Sequence, residues 1–98
     1  MVKIEWTRIS QEDLKEIYDF IAEDSISYAV ITVNKIYQSV QSIKNNPFLA
    51  RIVPELNEEN IREVISGNYR IVFKIIDHKL IHILRIYHSA RLMKRDAL

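Results

Sequence analysis

IREVISGNYRIVFKIIDHKLIHILRIYHSAR, residues 61–91, is the stretch whose reading decides the fold. It holds three runs of β-branched and aromatic residues, separated by Gly67-Asn68 and by Asp77-His78-Lys79. That is the pattern of strand, tight turn, strand, turn, strand. In the middle run the two-residue period of a strand puts Tyr69, Ile71, Phe73 and Ile75 on one face. Arg70, Val72, Lys74 and Ile76 fall on the other. The stretch therefore predicts an antiparallel meander with one core face and one partly basic face.

Working outward, Val2, Ile4 and Trp6 alternate with Lys3 and Glu5, which predicts a half-buried N-terminal strand joining the sheet at an edge. Ser10 followed by Asp13 reads as a capping box, so a helix is expected to start there. Leu14, Ile17, Tyr18, Ile21 and Ala22 form one buried stripe, with Glu16, Asp19 and Glu23 on the opposite side. Ser25 to Ser27 breaks and recaps the chain. Ala29, Val33, Ile36, Val40 and Ile43 then mark a second helix, which Asn45-Asn46-Pro47 ends because the residue before proline avoids helical geometry. Phe48 to Asn60 has no sustained period and reads as a long irregular connection, a kind of segment that often carries function. The expected fold class is α+β: a small antiparallel sheet with an N-terminal strand, a two-helix hairpin packed on one face and a C-terminal three-strand meander.

A chain of 98 residues suits one domain, residues 1–98, with a modest core. It has no cysteine, which excludes disulfides, a thiolate nucleophile and thiolate metal ligands. No apolar run reaches the length of a membrane span and Met1 to Trp6 is no signal peptide, so a soluble cytoplasmic protein is expected. The formal charge is +1, unevenly distributed. Residues 1–30 carry three Lys/Arg against seven Asp/Glu, whereas residues 61–98 carry eight against three. The basic last third fits a polyanionic target or an acidic partner segment, and fits equally a face kept basic for solubility.

Three chemistries can be weighed on the residues. His78 and His82 are four positions apart, roughly 13 Å along a strand, too far to share an ion, so no metal is expected. With Gly67 the single glycine, there is no phosphate-cradling glycine loop. A third constellation is richer. If Asp77 stands opposite Leu80, then Arg70 faces Tyr87, Val72 faces Arg85 and Lys74 faces Ile83 away from the helices. His88, at the end of the last strand, is placed to turn toward Arg70 and Arg91. Guanidinium groups bind phosphate oxygens bidentately and histidine exchanges protons near neutral pH, which suits binding or cutting a phosphodiester chain. The alternative is an ordinary exposed face whose Arg and Lys oppose aggregation.

The ordered set Trp6, Asp13-Leu14, Ile17, Ile21, Asn46-Pro47, Arg51, Val53-Pro54-Glu55, Ile61-Arg62-Glu63, Asn68-Tyr69-Arg70-Ile71-Val72-Phe73, Ile83-Leu84-Arg85 and His88 with Arg91 closely resembles the RelE/ParE superfamily of bacterial toxins. The resemblance covers nearly the whole chain. It implies a growth-arresting toxin of a type II toxin-antitoxin system, needing no cofactor and neutralised by a cognate antitoxin in a hetero-oligomer. The Val-Pro-Glu loop, the Ile-Arg-Glu strand and the His-x-x-Arg ending are similar to ParE-like members described as plasmid stabilisation proteins. Such members imply inhibition of DNA gyrase without catalysis, with Arg51, Arg62, Lys74, Arg85, Tyr87 and Arg91 as candidate target-binding residues. The RelE-like branch implies instead an mRNA endonuclease acting in the ribosome, with Glu55 as base, Arg70 as phosphate clamp and His88 as acid. Ser89 stands where an aromatic follows that histidine in one ribonuclease branch, and Arg51 is the one basic residue of a loop that is lysine-rich in RelE.

Overall fold

The computed structural model describes residues 2–89. Strand β1 (Lys3–Trp6) leads into helices α1 (Arg8–Ala22) and α2 (Ile26–Ser42). A short 3-10 turn at Pro47–Leu49 precedes β2 (Arg51–Ile52), β3 (Ile61–Ser66), β4 (Tyr69–Asp77) and β5 (Leu80–His88). The five strands form one sheet in the order β1-β5-β4-β3-β2. The meander β3-β4-β5 is antiparallel and the helical hairpin packs on one of its faces. β1 joins in parallel to β5, so the sheet is mixed at this edge.

Local chemistry explains the elements. At Gly67 the backbone is left-handed (φ 57°) and Ser66 pairs with Tyr69. A glycine at the first central position of a two-residue loop matches the twist of the flanking strands. The second turn closes with Asp77 opposite Leu80, the Lys79 amide donating to Asp77 Oδ1 at 2.7 Å. Helix α2 is capped by Ser25, whose Oγ accepts the Tyr28 amide at 3.1 Å. Helix α1 starts one turn before the position expected. Thr7 is its cap, accepting the Ser10 amide at 3.1 Å, while Ser10 is fully buried and donates to the Thr7 carbonyl. Thr7 prevails because its hydroxyl also donates to the carbonyls of Ile83 (2.8 Å) and Leu84 (3.2 Å), a tertiary bond that Ser10 cannot make.

Ile71, Phe73 and Ile75 of β4, with Ile81, Ile83 and Ile86 of β5, pack against Ile36, Val40 and Ile43. This is the face assigned to the core by the two-residue period. The opposite face is not a plain exposed surface. Val72 and Tyr87 bury there with Val53 and Ile61, and Leu56 and Leu84 close the edge of this second apolar cluster. The segment after β2 folds over the sheet to make it. β2 itself lies inside the stretch expected to be irregular, and two residues are too few to carry a period.

The β4–β5 register holds at Arg70 opposite Tyr87 and Val72 opposite Arg85. It then slips by one, so Lys74 faces His82 and not Ile83. The slip is undone at Ile76, an extra residue between the partners of Ile81 and Leu80, and it begins as a bulge at Leu84, an extra residue between the partners of Val72 and Phe73. It turns both Leu84 and Arg85 away from the helical core and keeps Ile83 and Ile86 in it.

Candidate functional site

The face remote from the helices is organised by a chain of four charges. Glu63, 1% exposed, accepts Arg70 Nε at 2.8 Å through one oxygen and Arg51 Nε at 2.7 Å through the other. A second Arg51 nitrogen also contacts Glu63. Arg70, 5% exposed, turns its two terminal nitrogens to the two oxygens of Glu55 at 2.7 and 2.8 Å, a bidentate fork. Arg51, Glu63 and Arg70 sit on β2, β3 and β4, and Glu55 reaches them from the segment between β2 and β3. Charges taken out of water persist only when paired and hydrogen-bonded, and the alternation of two cations with two anions supplies both. The hydrogen bond that Arg70 donates to Glu55 is the largest cause of a rise in the Arg70 pKa, and desolvation opposes it.

The strand alternation separates the three residues proposed for phosphodiester chemistry. Glu55 and Arg70 meet. His88 does not join them, because it pairs opposite Tyr69, and directly opposed residues share a face. Its ring meets Tyr69 edge-on, 5.9 Å between centroids, and it lines a groove with Asp13, Glu16, Ile17 and Phe20 on the helical side. The expected turn of His88 toward Arg70 is thus not made, since one position along a strand reverses the side-chain direction. Arg91 lies outside the described residues.

The candidate target-binding residues are likewise divided. Arg51 keeps 61% of its side chain exposed beside Glu63, and Lys74 is exposed on the same face. Arg62 belongs to the helical side, where it donates to the carbonyls of Glu59 (2.9 Å), Phe48 (2.9 Å) and Ala50 (3.0 Å) and lies over the Phe48 ring. Tyr87 is buried, and Arg85 stacks over its ring at 4.7 Å. Arg85 also pairs with Asp13, Nε to Oδ2 at 2.8 Å, and this bond is the largest cause of its raised pKa. Asp13 accepts the Ile86 amide as well, at 3.0 Å. The carboxylate expected to cap α1 therefore serves as the strand partner that β5 lacks beyond the end of β1.

Glu63 is the residue that reading for chemistry passed over. Its signal was present: a turn at Gly67-Asn68 puts Glu63 opposite Val72 and diagonal to Arg70 on one face. Among the described residues no three His, Asp or Glu side chains gather as metal ligands, and no helix is long and apolar enough to cross a membrane.

Comparison with known proteins gives this geometry a family. No curated protein matches the chain at a significant level. In structure it is similar to a chain of the chromosomal ParDE TA system from P. aeruginosa, with TM-score 0.74 and 24% identity over 90% of this chain and 96% of that one. It is also similar to a chain of the toxin-antitoxin complex RelBE2 from Mycobacterium tuberculosis, with TM-score 0.56 and 19% identity over 89% and 96%. At such identities both likenesses are of fold. The family model for the ParE toxin of type II toxin-antitoxin systems matches residues 4–93, nearly the whole length, and the chain belongs to that family.

Proposed function

We propose that this toxin arrests growth by inhibiting DNA gyrase through binding, and that a cognate antitoxin neutralises it in a hetero-oligomer. The observation that carries the reading is the internal pairing of Arg70. A phosphate clamp for cleavage must present its guanidinium to substrate, and here both terminal nitrogens engage Glu55. With His88 on the other face, acid, base and clamp do not surround one phosphate position. What remains outward among the described candidates is a binding surface of Arg51 and Lys74 on the remote face, while Arg62 is engaged on the helical side by the segment before β3. Arg85 and Tyr87 serve that surface by holding its frame.

Support for an antitoxin comes from the two structural likenesses, both with chains of toxin-antitoxin systems. It also comes from apolar side chains left at the hairpin surface, Phe20 at 74% exposure with Tyr28 and Ile31. Exposed apolar side chains of that size suit coverage by a partner.

The second reading, ribosome-dependent mRNA cleavage by Glu55, Arg70 and His88, draws on one observation, the direct contact of Glu55 with Arg70. Two assays separate them. Purified toxin is expected to block supercoiling by gyrase, with relief on adding antitoxin, and to leave mRNA intact by primer extension in a translating extract. Codon-positioned cuts that disappear in His88→Ala would overturn the gyrase reading.

A further inference from the structure

Helix α2 is almost free of charge, with Lys35 its single charged residue. The fold buries one stripe of it, Ala29, Ile36 and Val40. A helix that is apolar on more than one side is ordinarily buried on more than one side. On the flank toward β1, Ile26, Val30 and Tyr37 stay 65, 44 and 52% exposed, and Val33 is half-buried between them. The steps between these residues are four, three and four, the spacing of a coiled-coil seam. Tyr37 is fixed on this flank by stacking on Trp6, 6.4 Å between ring centroids. Tyr28, Ile31 and Lys35 belong to the other flank, where they line a cleft against the Gly67 turn. The seam is therefore a separate apolar surface.

We propose that this seam pairs with the same seam of a second copy of the chain, the two α2 helices running antiparallel about a twofold axis. Two features select a copy over a foreign helix. The spacing reads the same in both directions, so the twofold sets Ile26 against the partner subunit's Tyr37 and Val30 against the partner subunit's Val33. The outward side of the seam carries Ser27, Asn34 and Gln41, and Lys35 is on the other flank. Identical faces then meet without like-charge repulsion, whereas a helix that selects a foreign partner carries charges beside its seam. The seam spans about 16 Å at 1.5 Å per residue. That is small beside a standard interface, so the pair forms and separates in the micromolar range. α2 packs on the helical side of the sheet, which leaves Arg51 and Lys74 on the remote face open in both copies. The pair presents two such surfaces, whatever they bind.

The test uses the full chain, purified without antitoxin. Sedimentation from low to high micromolar concentration is expected to pass from monomer to dimer. The fluorescence of Trp6, the single tryptophan, is expected to change over the same range, because Tyr37 stacks on it. Ile26→Glu and Tyr37→Lys are each expected to weaken self-association at least about tenfold. Mixed together, the two variants are expected to bind one another more tightly than either binds itself, since the new carboxylate and ammonium face each other across the axis. Both positions are exposed, and circular dichroism checks that each variant keeps the fold. Should either not fold, dilution of the native chain followed by amide NMR decides, and the shifts must centre on Ile26, Val30, Val33 and Tyr37. A monomer at every concentration overturns the proposal, as do shifts centred on Tyr28 and Ile31 or unchanged association in Ile26→Glu. Seam signals that move only when antitoxin is added give the seam to that partner and overturn the self-pairing.

Discussion

At the scale of single residues, Glu63 does more for the remote face than its place in a strand announces. Its carboxylate is shared by two arginines, and it is sealed from water. Truncating one partner of a buried charge network leaves the others unpaired, which costs about 3–5 kcal/mol. Glu63→Ala is therefore expected to lose that much stability in urea denaturation. Arg51→Ala, at a largely exposed position, is expected to lose about 1 kcal/mol or less. Equal losses would show that the network does not depend on Glu63. Arg70 and Arg85 both have raised pKa values, each chiefly through a hydrogen bond it donates to a carboxylate. A raised value means that the stabilising charged form is present below the unfolded value and lost only above it, so neither residue gives a loss of stability with rising pH below about 12. Glu55, Arg70 and Arg51 were all legible as candidates in the sequence. The pairing of Arg70 with Glu55 was not, because it depends on a fold-back of the segment after β2.

At the scale of elements, the joint between α1 and β5 is where sequence and structure part. Thr7 caps the helix and bonds two β5 carbonyls, and Asp13 takes the Arg85 guanidinium and the Ile86 amide. These bonds satisfy the strand edge where β1 ends. Losing a cap costs about 1 kcal/mol, and the further tertiary bonds of Thr7 should raise this to about 2 kcal/mol. Thr7→Ala is expected to destabilise more than Ser25→Ala, whose hydroxyl caps α2 without bonds to the sheet. Parallel thermal melts of the two variants check the order, and the reverse ranking would refute the joint. Asp13→Asn should raise amide hydrogen exchange at Ile86 selectively, since the amide side chain bonds the guanidinium of Arg85 and the Ile86 N–H less well than a carboxylate does. The local pattern pointed to Ser10 as the cap of α1, and the bonds to β5 that give the place to Thr7 lie outside any local pattern.

At the scale of the whole molecule, the helical core and the smaller remote cluster divide the labour: the first holds the fold and the second sets the site. Phe73 is fully buried among Ile36, Ile71 and Ile83. Phe73→Ala should cost about 3–5 kcal/mol, a large share of the stability of a small domain, and so lower the melting temperature by well over 10 °C. Tyr87→Leu, which alters only the remote cluster, should leave the helical core intact by circular dichroism while loosening the segment that carries Glu55. The sequence by itself determined the two helices, the meander, its tight turns and the face that packs inward. Those follow from short-range periods of 3.6 and 2 residues and from turn chemistry, all contained within a dozen neighbouring positions. Only the tertiary structure decided the parallel docking of β1, the slip at Leu84, the direction of His88 and the pairing of Arg70 with Glu55. Each depends on contacts between residues far apart in the chain, where one extra residue in a strand reverses the face that a side chain meets.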